Sequence, residues 1–429
     1  MKYIGIMTGN SMDAIDLVII DWVDKKNFAP VHTLTIEFSN EMRQSADSLR
    51  ALVFDKTASE INALPTFHHF HDAYIKQVAR AVHQLLADAN LSAHDIRAIG
   101  FHGKTLDHNP PSKAKHVPSL PYTLQIGSGQ MLADLTGIDV IYDFRSDDLM
   151  QGGDGAPLIP AFSALMAAQE GTLNKIDLNA GNTSNIAVIL DGKARQGWDA
   201  GPCNAFPDAF MRLIFANKKA YDVDGGYGLK GALDTELLQA LFNAGRPFYE
   251  LPPPKSGDPA FYNQAQIFAQ IKQAYPNLQP HQQAFCDIMH TLAYFAGYVA
   301  AYALRDVVVS VPVITLFGGG WHNPVITGAF TDLIKGKAFV LPEHRNLFNQ
   351  IRARFLSAQI RPSQHEKYME AGLCAAMAYY ADHGLCWTTP SLTGVSAPCI
   401  CGIKATHAPQ VVQCYSDKVC RAAKGWQNK

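Results

Sequence analysis

The sequence predicts an α/β protein built from two related lobes, and three observations lead to this prediction. The chain has 429 residues, of which 48% are hydrophobic and 17% charged, enough for two buried cores. Apolar, β-branched runs alternate with segments of helical periodicity in both halves. Residues 4–11 (IGIMTGNS) are echoed by residues 176–183 (IDLNAGNT). We therefore assign residues 1–150 to an N-terminal lobe and residues 151–429 to a C-terminal lobe.

The first half begins with a predicted hairpin. The apolar runs Tyr3–Ile6 and Ile15–Val23 flank the polar turn Thr8–Ser11, as two paired strands would. Residues 59–92 carry apolar side chains at helical spacing, and the run Ile96–Phe101 predicts another strand. That strand opens onto a polar turn that begins at His102.

The second half repeats this design. The apolar run Ile186–Leu190 follows the echo, so a second hairpin is expected, with its turn facing the first across a cleft between the lobes. The later elements are predicted helices at Gln264–Ala274 and Gln283–Arg305, a strand at Val309–Phe317 and a helix at Gln364–Asp382.

Composition and charge exclude some classes of partner. The formal net charge is −2, which argues against nucleic acid or an anionic membrane surface as the main partner. The apolar stretch Cys286–Leu304 contains Asp287 and His290, so we interpret it as a buried helix and not as a membrane span. The first residues lack the pattern of a signal peptide, and a cytoplasmic location is expected.

Four of the eight cysteines lie late in the chain. Their spacing lacks the paired C-x₂₋₄-C of structural zinc sites, so we interpret them as reduced thiols, with zinc binding as the alternative. They are Cys399, Cys401, Cys414 and Cys420.

Small and polar residues form the first hairpin turn, from Gly9 through Asn10, Ser11 and Met12 to Asp13. Small side chains let a phosphate approach backbone N–H groups, and an aspartate here could hold a hydrated Mg²⁺ ion. The same residue types also suit a turn that binds nothing. Both interpretations fit this turn.

Three glycines, Gly318, Gly319 and Gly320, follow the predicted strand 309–317 and precede Asn323. The missing side chains would let a nucleotide approach the backbone. The pattern is neither a Walker A motif nor a dinucleotide fingerprint. A tight strand-to-helix turn is the alternative.

Asp199 lies in the polar turn WDAGPCN, residues 198–204. A carboxylate partly desolvated by Trp198 would gain basicity and could act as a general base. The alternative is a turn or helix-capping residue.

Two further turns contain polar residues beside glycine. The glycines of residues 152–155 leave room for a ligand, while Asp143 and Arg145 could pair with each other. His102 and Lys104 could contact a sugar hydroxyl or an acidic group, or His102 could bond a backbone carbonyl.

Together these stretches resemble the anhydro-N-acetylmuramic acid kinase family, which has the fold shared by acetate and sugar kinases, heat-shock chaperones and actin. The resemblance covers nearly the whole chain, in the order and at the spacing of the family. The matching blocks are residues 9–16, 102–105, 125–158, 199–204, 252–256, 318–323, 370–371 and 393–394. It implies two actin-like, ribonuclease H-like lobes with a nucleotide and substrate cleft between them, and often a homodimer.

The resemblance also implies a reaction. ATP, with Mg²⁺, phosphorylates O6 of 1,6-anhydro-N-acetylmuramic acid while water opens the anhydro bridge at C1, which yields N-acetylmuramic acid 6-phosphate in peptidoglycan recycling. Asp199 matches the family's catalytic aspartate. The nucleotide-binding positions implied are Gly9, Asn10, Ser11, Met12, Asp13, Ala14, Ile15, Asp16, Gly318, Gly319, Gly320 and Asn323. The sugar-binding positions implied are His102, Asn204 and Glu370; the metal ligands stay open.

The chain departs from the family pattern in ligand-facing turns. Asn10, Ala14, Asp154, Asn182 and Cys203 stand where the family has Thr, Gly, Gln, Gly and Gly. If position 14 needs a positive φ, alanine there costs about 1 kcal/mol. A negative charge at position 154 near the sugar would disfavour the lactyl carboxylate of muramic acid. A kinase on another sugar, or a nucleotide-binding regulatory relative with weak activity, is therefore the alternative.

Overall fold

The computed structural model describes residues 1–9, 12–53, 56–114, 120–257 and 262–407. Within these residues the strands are β1 (Lys2–Thr8), β2 (Ala14–Trp22), β3 (Phe28–Glu37), β4 (Ile96–Phe101), β5 (Lys104–Asn109), β6 (Tyr122–Ile126), β7 (Val140–Tyr142), β8 (Lys175–Ala180), β9 (Thr183–Leu190), β10 (Lys193–Pro202), β11 (Val313–Phe317), β12 (Gln359–Pro362) and β13 (Ile403–Ala405).

The α-helices of the same residues are α1 (Asn40–Val53), α2 (Ala58–Asn62), α3 (Pro65–Asp88), α4 (Pro111–Ala114), α5 (Gly129–Thr136), α6 (Ser146–Met150), α7 (Ile159–Gln169), α8 (Ala205–Ile214), α9 (Thr235–Tyr249), α10 (Gln264–Ala274), α11 (Gln283–Ala303), α12 (Pro324–Lys335), α13 (Arg345–Phe355), α14 (Met369–Asp382) and α15 (Pro390–Thr393).

The chain forms two compact units. Unit 1 contains Met1–Gln169 and the described residues from Lys367 onward, and unit 2 is the continuous segment Glu170–Glu366. This division differs from the predicted boundary between residues 150 and 151. The physical reason is α14, which returns to pack against β1, β4 and α7 and so joins the late part of the chain to unit 1.

The two units share a five-stranded sheet topology, and unit 1 adds β13 antiparallel to β7 at one edge. In unit 1 the order is β13-β7-β4-β1-β2-β3, and in unit 2 it is β10-β9-β8-β11-β12. In each, the first three strands pair antiparallel and the next two extend the sheet parallel to the first strand. The internal echo, Ile4–Ser11 and 176–183, thus marks the start of two related lobes, and the predicted α/β fold class is confirmed. The cleft stays a prediction.

Helix α14 lies directly on the backbone of the unit 1 sheet. A Cβ atom on Gly5 would lie 1.8 Å from the carbonyl oxygen of Ala371, and one on Gly100 would lie 1.9 Å from that of Cys374. Any side chain at either glycine would push the helix away. These two glycines therefore fix the position of α14, whose first turn carries Glu370.

Helix α11 forms the centre of the unit 2 core. Its residues are buried almost continuously from Phe285 to Ala303. This confirms the interpretation of 286–304 as a buried helix. Among the described residues, no helix combines the length and the apolar composition that crossing a membrane requires.

Several predicted elements have different bounds in the structure. The predicted helix 59–92 is interrupted before Pro65, because proline lacks the N–H that a continuous helix needs. Strand β11 begins at Val313 instead of 309, and the predicted helix 364–382 contains α14 only from Met369. Strand β3 was not predicted because its outward side chains are largely polar.

Candidate functional site

The carbonyl oxygen of Gly9 accepts two hydrogen bonds at the first turn of unit 1. This oxygen accepts the backbone N–H of Met12 at 3.1 Å and the ammonium of Lys104 at 3.2 Å. Met12 has a φ of 55°, in the left-handed region that costs a non-glycine residue about 1–2 kcal/mol. Asn10 and Ser11 lie outside the described residues. The described part of the turn is a strained bend that contacts a buried cation.

The remaining positions of this stretch have mixed surroundings. Met12 and Ile15 are buried in the core, so a ligand could use their backbone groups but not their side chains. Ala14 begins β2 and does not have a positive φ, so the strain considered for alanine does not arise. The carboxylate of Asp16 accepts a hydrogen bond from Thr35 Oγ1 at 2.7 Å, and burial raises its pKa. Asp13 is exposed.

His102 is held in one tautomer. Its Nδ1 lies 3.0 Å from the carbonyl oxygen of Gly103, which can only accept, so Nδ1 carries the proton. Its Nε2 accepts the Nε–H of Arg145 at 3.0 Å. Burial and the nearby guanidinium lower the pKa of His102 to about 3, so the ring is neutral. Because both ring nitrogens are engaged, the geometry suits His102 to orient Arg145 more than to bind a sugar itself.

Arg145 and Glu370 lie close to the same thiol in unit 1. Arg145 also donates from Nη1 to the carbonyl oxygen of Gly155 at 2.6 Å. Burial raises the pKa of Cys374, Glu370 raises it further, and Arg145 opposes this, which places both charges near that thiol. Glu370 is in the first turn of α14. Two predicted sugar contacts, His102 and Glu370, therefore both act on the buried thiol of Cys374.

The carboxylate of Asp148 organises the glycine-rich segment 152–155. Its Oδ1 accepts the N–H of Gly155 at 2.7 Å, and its Oδ2 accepts the hydroxyl of Thr393 at 2.7 Å. A Cβ atom on Gly153 would lie 2.1 Å from Asp148 Oδ1. At this position the space left by glycine is filled by Asp148, not by a ligand. Nothing in the sequence separated this aspartate from Asp147 beside it.

Three hydrogen bonds hold Asp154 in place. Its N–H donates to the carbonyl of Thr393 at 2.8 Å, and its carbonyl oxygen accepts from His108 Nε2 at 2.9 Å. Its Oδ1 accepts the N–H of Ser112 at 3.0 Å, and the residue is 6% exposed. The negative charge expected to act on the sugar is thus stabilised by a backbone N–H group.

Asp199 of unit 2 lies in β10, next to Trp198. Consecutive side chains of a strand point to opposite faces, so the indole is buried in the core while the carboxylate is half-buried on the other face. The expectation that Trp198 desolvates Asp199 stays a prediction. Asp199 Oδ2 accepts the N–H of Gly257 at 2.6 Å, with Ser256 Oγ at 3.4 Å.

The segment that holds Asp199 is anchored by Lys255. The carbonyl of Lys255 accepts the N–H of Asp199 at 3.0 Å. Its ammonium donates to the carbonyl oxygens of Phe248 and Tyr249, at the end of α9, at 3.1 and 2.9 Å. Burial lowers the pKa of Lys255 to about 7. The proline-rich block 252–256 is therefore anchored to α9 and hydrogen-bonded to the backbone of Asp199.

Asn204 lies beside the second hairpin turn. The N–H of Asn204 donates to the carbonyl of Gly181 at 3.1 Å, and the N–H of Cys203 donates to that of Asn182 at 2.8 Å. A Cβ atom on Gly320 would lie 2.7 Å from Cys203 Sγ. Three turns that are distant in sequence therefore meet within unit 2.

The three glycines after β11 have different roles. Gly318 has a φ of 96°, and a Cβ atom there would lie 2.4 Å from Asn179 Oδ1. Its N–H donates to Glu366 Oε1 at 3.1 Å. No described atom outside the neighbouring residues lies within 4 Å of a Cβ built on Gly319, so this is the open position of the turn. The side chain of Asn323 caps α12 by accepting the N–H of Val325 at 3.0 Å.

The late cysteines show no metal site where they are described. Cys399 and Cys401 are buried and form no disulfide, and the thiol interpretation stays a prediction. Cys414 and Cys420 lie outside the described residues. Across the described ranges, no group of three or more His, Cys, Asp or Glu side chains is arranged to hold a metal ion.

Comparison with known proteins decides the family. The family model described as anhydro-N-acetylmuramic acid kinase matches residues 1–406. The chain belongs to this family. It is 30% identical over 409 residues to the anhydro-N-acetylmuramic acid kinase of Actinobacillus pleuropneumoniae serotype 7 (strain AP76), which covers 94% of this chain and 98% of that relative.

Two further relatives have the same name. The protein of Burkholderia orbicola (strain MC0-3) is 33% identical over 335 residues, 78% of this chain and 81% of the relative. That of Bordetella pertussis (strain Tohama I) is 32% identical over 325 residues, 75% of this chain and 79% of the relative. The predicted family and the sugar kinase class are confirmed.

Proposed function

We propose that this protein transfers the γ-phosphoryl group of ATP to O6 of 1,6-anhydro-N-acetylmuramic acid while water opens the anhydro bridge. Water adds its oxygen to C1, the C1–O6 bond breaks, and its electron pair stays on O6. O6 then attacks the γ-phosphorus, and ADP leaves. The products are N-acetylmuramic acid 6-phosphate and ADP, which corresponds to a step of peptidoglycan recycling in the cytoplasm.

The observation that carries the proposal is the fixed carboxylate of Asp199. A carboxylate that acts as a general base must be ionised, and it must be held in a fixed orientation toward the water that it deprotonates. The N–H of Gly257 at 2.6 Å orients one carboxylate oxygen, and it stabilises the charged form. Asp199 would take the proton of the attacking water.

In unit 1 the proposal assigns Glu370 to the sugar. The close packing of α14 on Gly5 and Gly100 supports this, because it places Glu370 on a rigid element. His102 would act through Arg145, whose guanidinium it orients at 3.0 Å.

The nucleotide is assigned to backbone groups. The turn that starts at Gly9 would meet the phosphates, and the turn Gly318–Gly320, with its open position at Gly319, would meet the nucleoside. Mg²⁺ bound to ATP is held largely by phosphate oxygens and water and needs only one or two protein carboxylates. The exposed carboxylate of Asp13 fits that need. The ion would neutralise phosphate charge during the transfer.

The test uses purified protein, ATP, Mg²⁺ and 1,6-anhydro-N-acetylmuramic acid in water labelled with oxygen-18. The proposal expects ADP release that depends on the sugar, a product with the mass of N-acetylmuramic acid 6-phosphate, and label in the sugar but none in its phosphate. Label in free phosphate alone would mean simple ATP hydrolysis and would contradict the proposal. Turnover with other sugars only would contradict the substrate. The family's homodimer is expected as well, and light scattering of the same sample would test it.

A further inference from the structure

The ammonium group of Lys104 is buried at the first turn of unit 1. Lys104 is the first residue of β5 and is 1% exposed. Burying an ammonium group is costly, so a lysine in such a place usually has a specific electrostatic role. The resemblance assigns His102 of the same block to the sugar, but the contact of Lys104 with Gly9 lies on the nucleotide turn.

This ammonium shares an acceptor with the turn itself. The carbonyl oxygen of Gly9 accepts from both Lys104 and the N–H of Met12. Met12, which makes the second contact, has a φ of 55°. The ammonium beside this oxygen favours the orientation of the Gly9 carbonyl that both donors use. Lys104 therefore stabilises the conformation that the turn needs.

Charged groups of α1 and of the residues after the turn act on the pKa of this ammonium. Burial lowers the pKa of Lys104 to about 7, Arg50 lowers it as well, and Asp47 and Asp13 oppose this. Arg50 and Asp47 come from α1, and Asp13 follows the turn. An anion that binds at the turn would interact favourably with Lys104 and Arg50, and this attraction grows with the charge of the anion.

We propose that Lys104 is a positioning residue for the nucleotide phosphates, acting through the Gly9–Met12 turn that it holds and through its charge behind that turn. The inference rests on the proposed function, since it takes this turn as the site of the phosphates. It predicts that the contribution of Lys104 to binding increases from AMP to ADP to ATP. A side chain needed only for folding would affect all three alike.

The test is calorimetric titration of the full-length protein with ATP, ADP and AMP. Lys104→Met removes the charge at nearly constant length, and Lys104→Arg keeps the charge. Lys76→Met, an exposed lysine of α3, controls for the loss of one positive charge. We expect Lys104→Met to weaken ATP binding by about 10- to 100-fold, the range for a lost charged hydrogen bond, with AMP binding within about twofold of wild type. Lys104→Arg should recover part of the loss.

Three other outcomes would contradict the role proposed for Lys104. Equal weakening of ATP and AMP by Lys104→Met would give Lys104 a purely structural role. Unchanged ATP affinity would remove its role altogether. If wild-type protein bound no ATP, the proposed function would fail and this inference with it. If Lys104→Met does not fold, Lys104→Gln provides the same comparison, with AMP affinity as its measure of intact structure.

Discussion

Replacing Asp199 by asparagine isolates its basicity from its structural role. The amide oxygen of asparagine can accept the N–H of Gly257, which now bonds Asp199 Oδ2 at 2.6 Å. The contact with Ser256 Oγ at 3.4 Å is long and contributes little. The fold and nucleotide binding should therefore survive. What is lost is the group that takes the proton from water.

The expected loss follows from general-base catalysis. Such groups contribute about 10²–10⁴-fold, which corresponds to about 3–5 kcal/mol of activation free energy. We expect kcat of Asp199→Asn to fall by that factor, with the free energy of unfolding within about 1 kcal/mol of wild type. The assay is coupled ADP release with saturating ATP and 1,6-anhydro-N-acetylmuramic acid, beside calorimetric ATP binding.

The control is Asp191→Asn in the β9–β10 turn. This aspartate is exposed, and it makes a surface ion pair with Arg195 at 3.4 Å, so the same change in charge should leave kcat unaltered. Turnover of Asp199→Asn within about threefold of wild type would refute the assignment of the base. A loss of ATP binding as large as the loss of kcat would mean that the substitution had disturbed the site as a whole.

Three other changes follow from the structure. Gly318→Ala should lower the free energy of unfolding, measured in thermal or urea melts, by about 2 kcal/mol or more. The reason is that residue 318 has a φ of 96° and that a Cβ there would lie only 2.4 Å from Asn179 Oδ1. Gly319→Ala, at the open position, should be nearly neutral. Asp154→Asn should keep KM for the sugar within about threefold, because the amide oxygen can still accept the N–H of Ser112; a large improvement would restore the charge-repulsion argument. Burial alone would raise the pKa of Asp382, but hydrogen bonds from Arg97 and Tyr3 and the charge of Lys404 outweigh it and lower the pKa to about 2. The stability from this carboxylate is thus present above about pH 4 and is lost as pH falls toward 2, so Asp382→Asn should flatten the acid-induced loss of stability in that window.

The fold was predictable where turn residues mark the ends of strands and helices. The paired echoes of apolar strand and Gly-Asn-Ser/Thr turn marked the first hairpin of each sheet, and helix α10 had the predicted bounds. The division into units was not predictable, because only tertiary packing shows that α14 belongs to β1 and β4. Sequence order suggested two consecutive lobes instead.

The sequence pointed to the polar turns of the candidate site but not to the hydrogen-bond partners of their side chains. His102 reads in sequence as a sugar contact, yet its two ring nitrogens are bonded to Gly103 and Arg145. Gly153 reads as space for a ligand, yet that space holds Asp148. Hydrogen-bond partners come from residues far apart in the chain or hidden among similar neighbours, and no local pattern encodes them.

The late arrival of α14 has a consequence for how the protein is made. On the ribosome the whole of unit 2, Glu170–Glu366, emerges before α14 does, and it can finish folding as a continuous segment. Meanwhile the backbone of β1 and β4 at Gly5 and Gly100 lacks the helix that covers it in the native protein. Translation that stops after Glu366 and before α14 would leave this face of unit 1 uncovered. The exposed face would then be open to aggregation and chaperone binding, although most strands of unit 1 had already been synthesised.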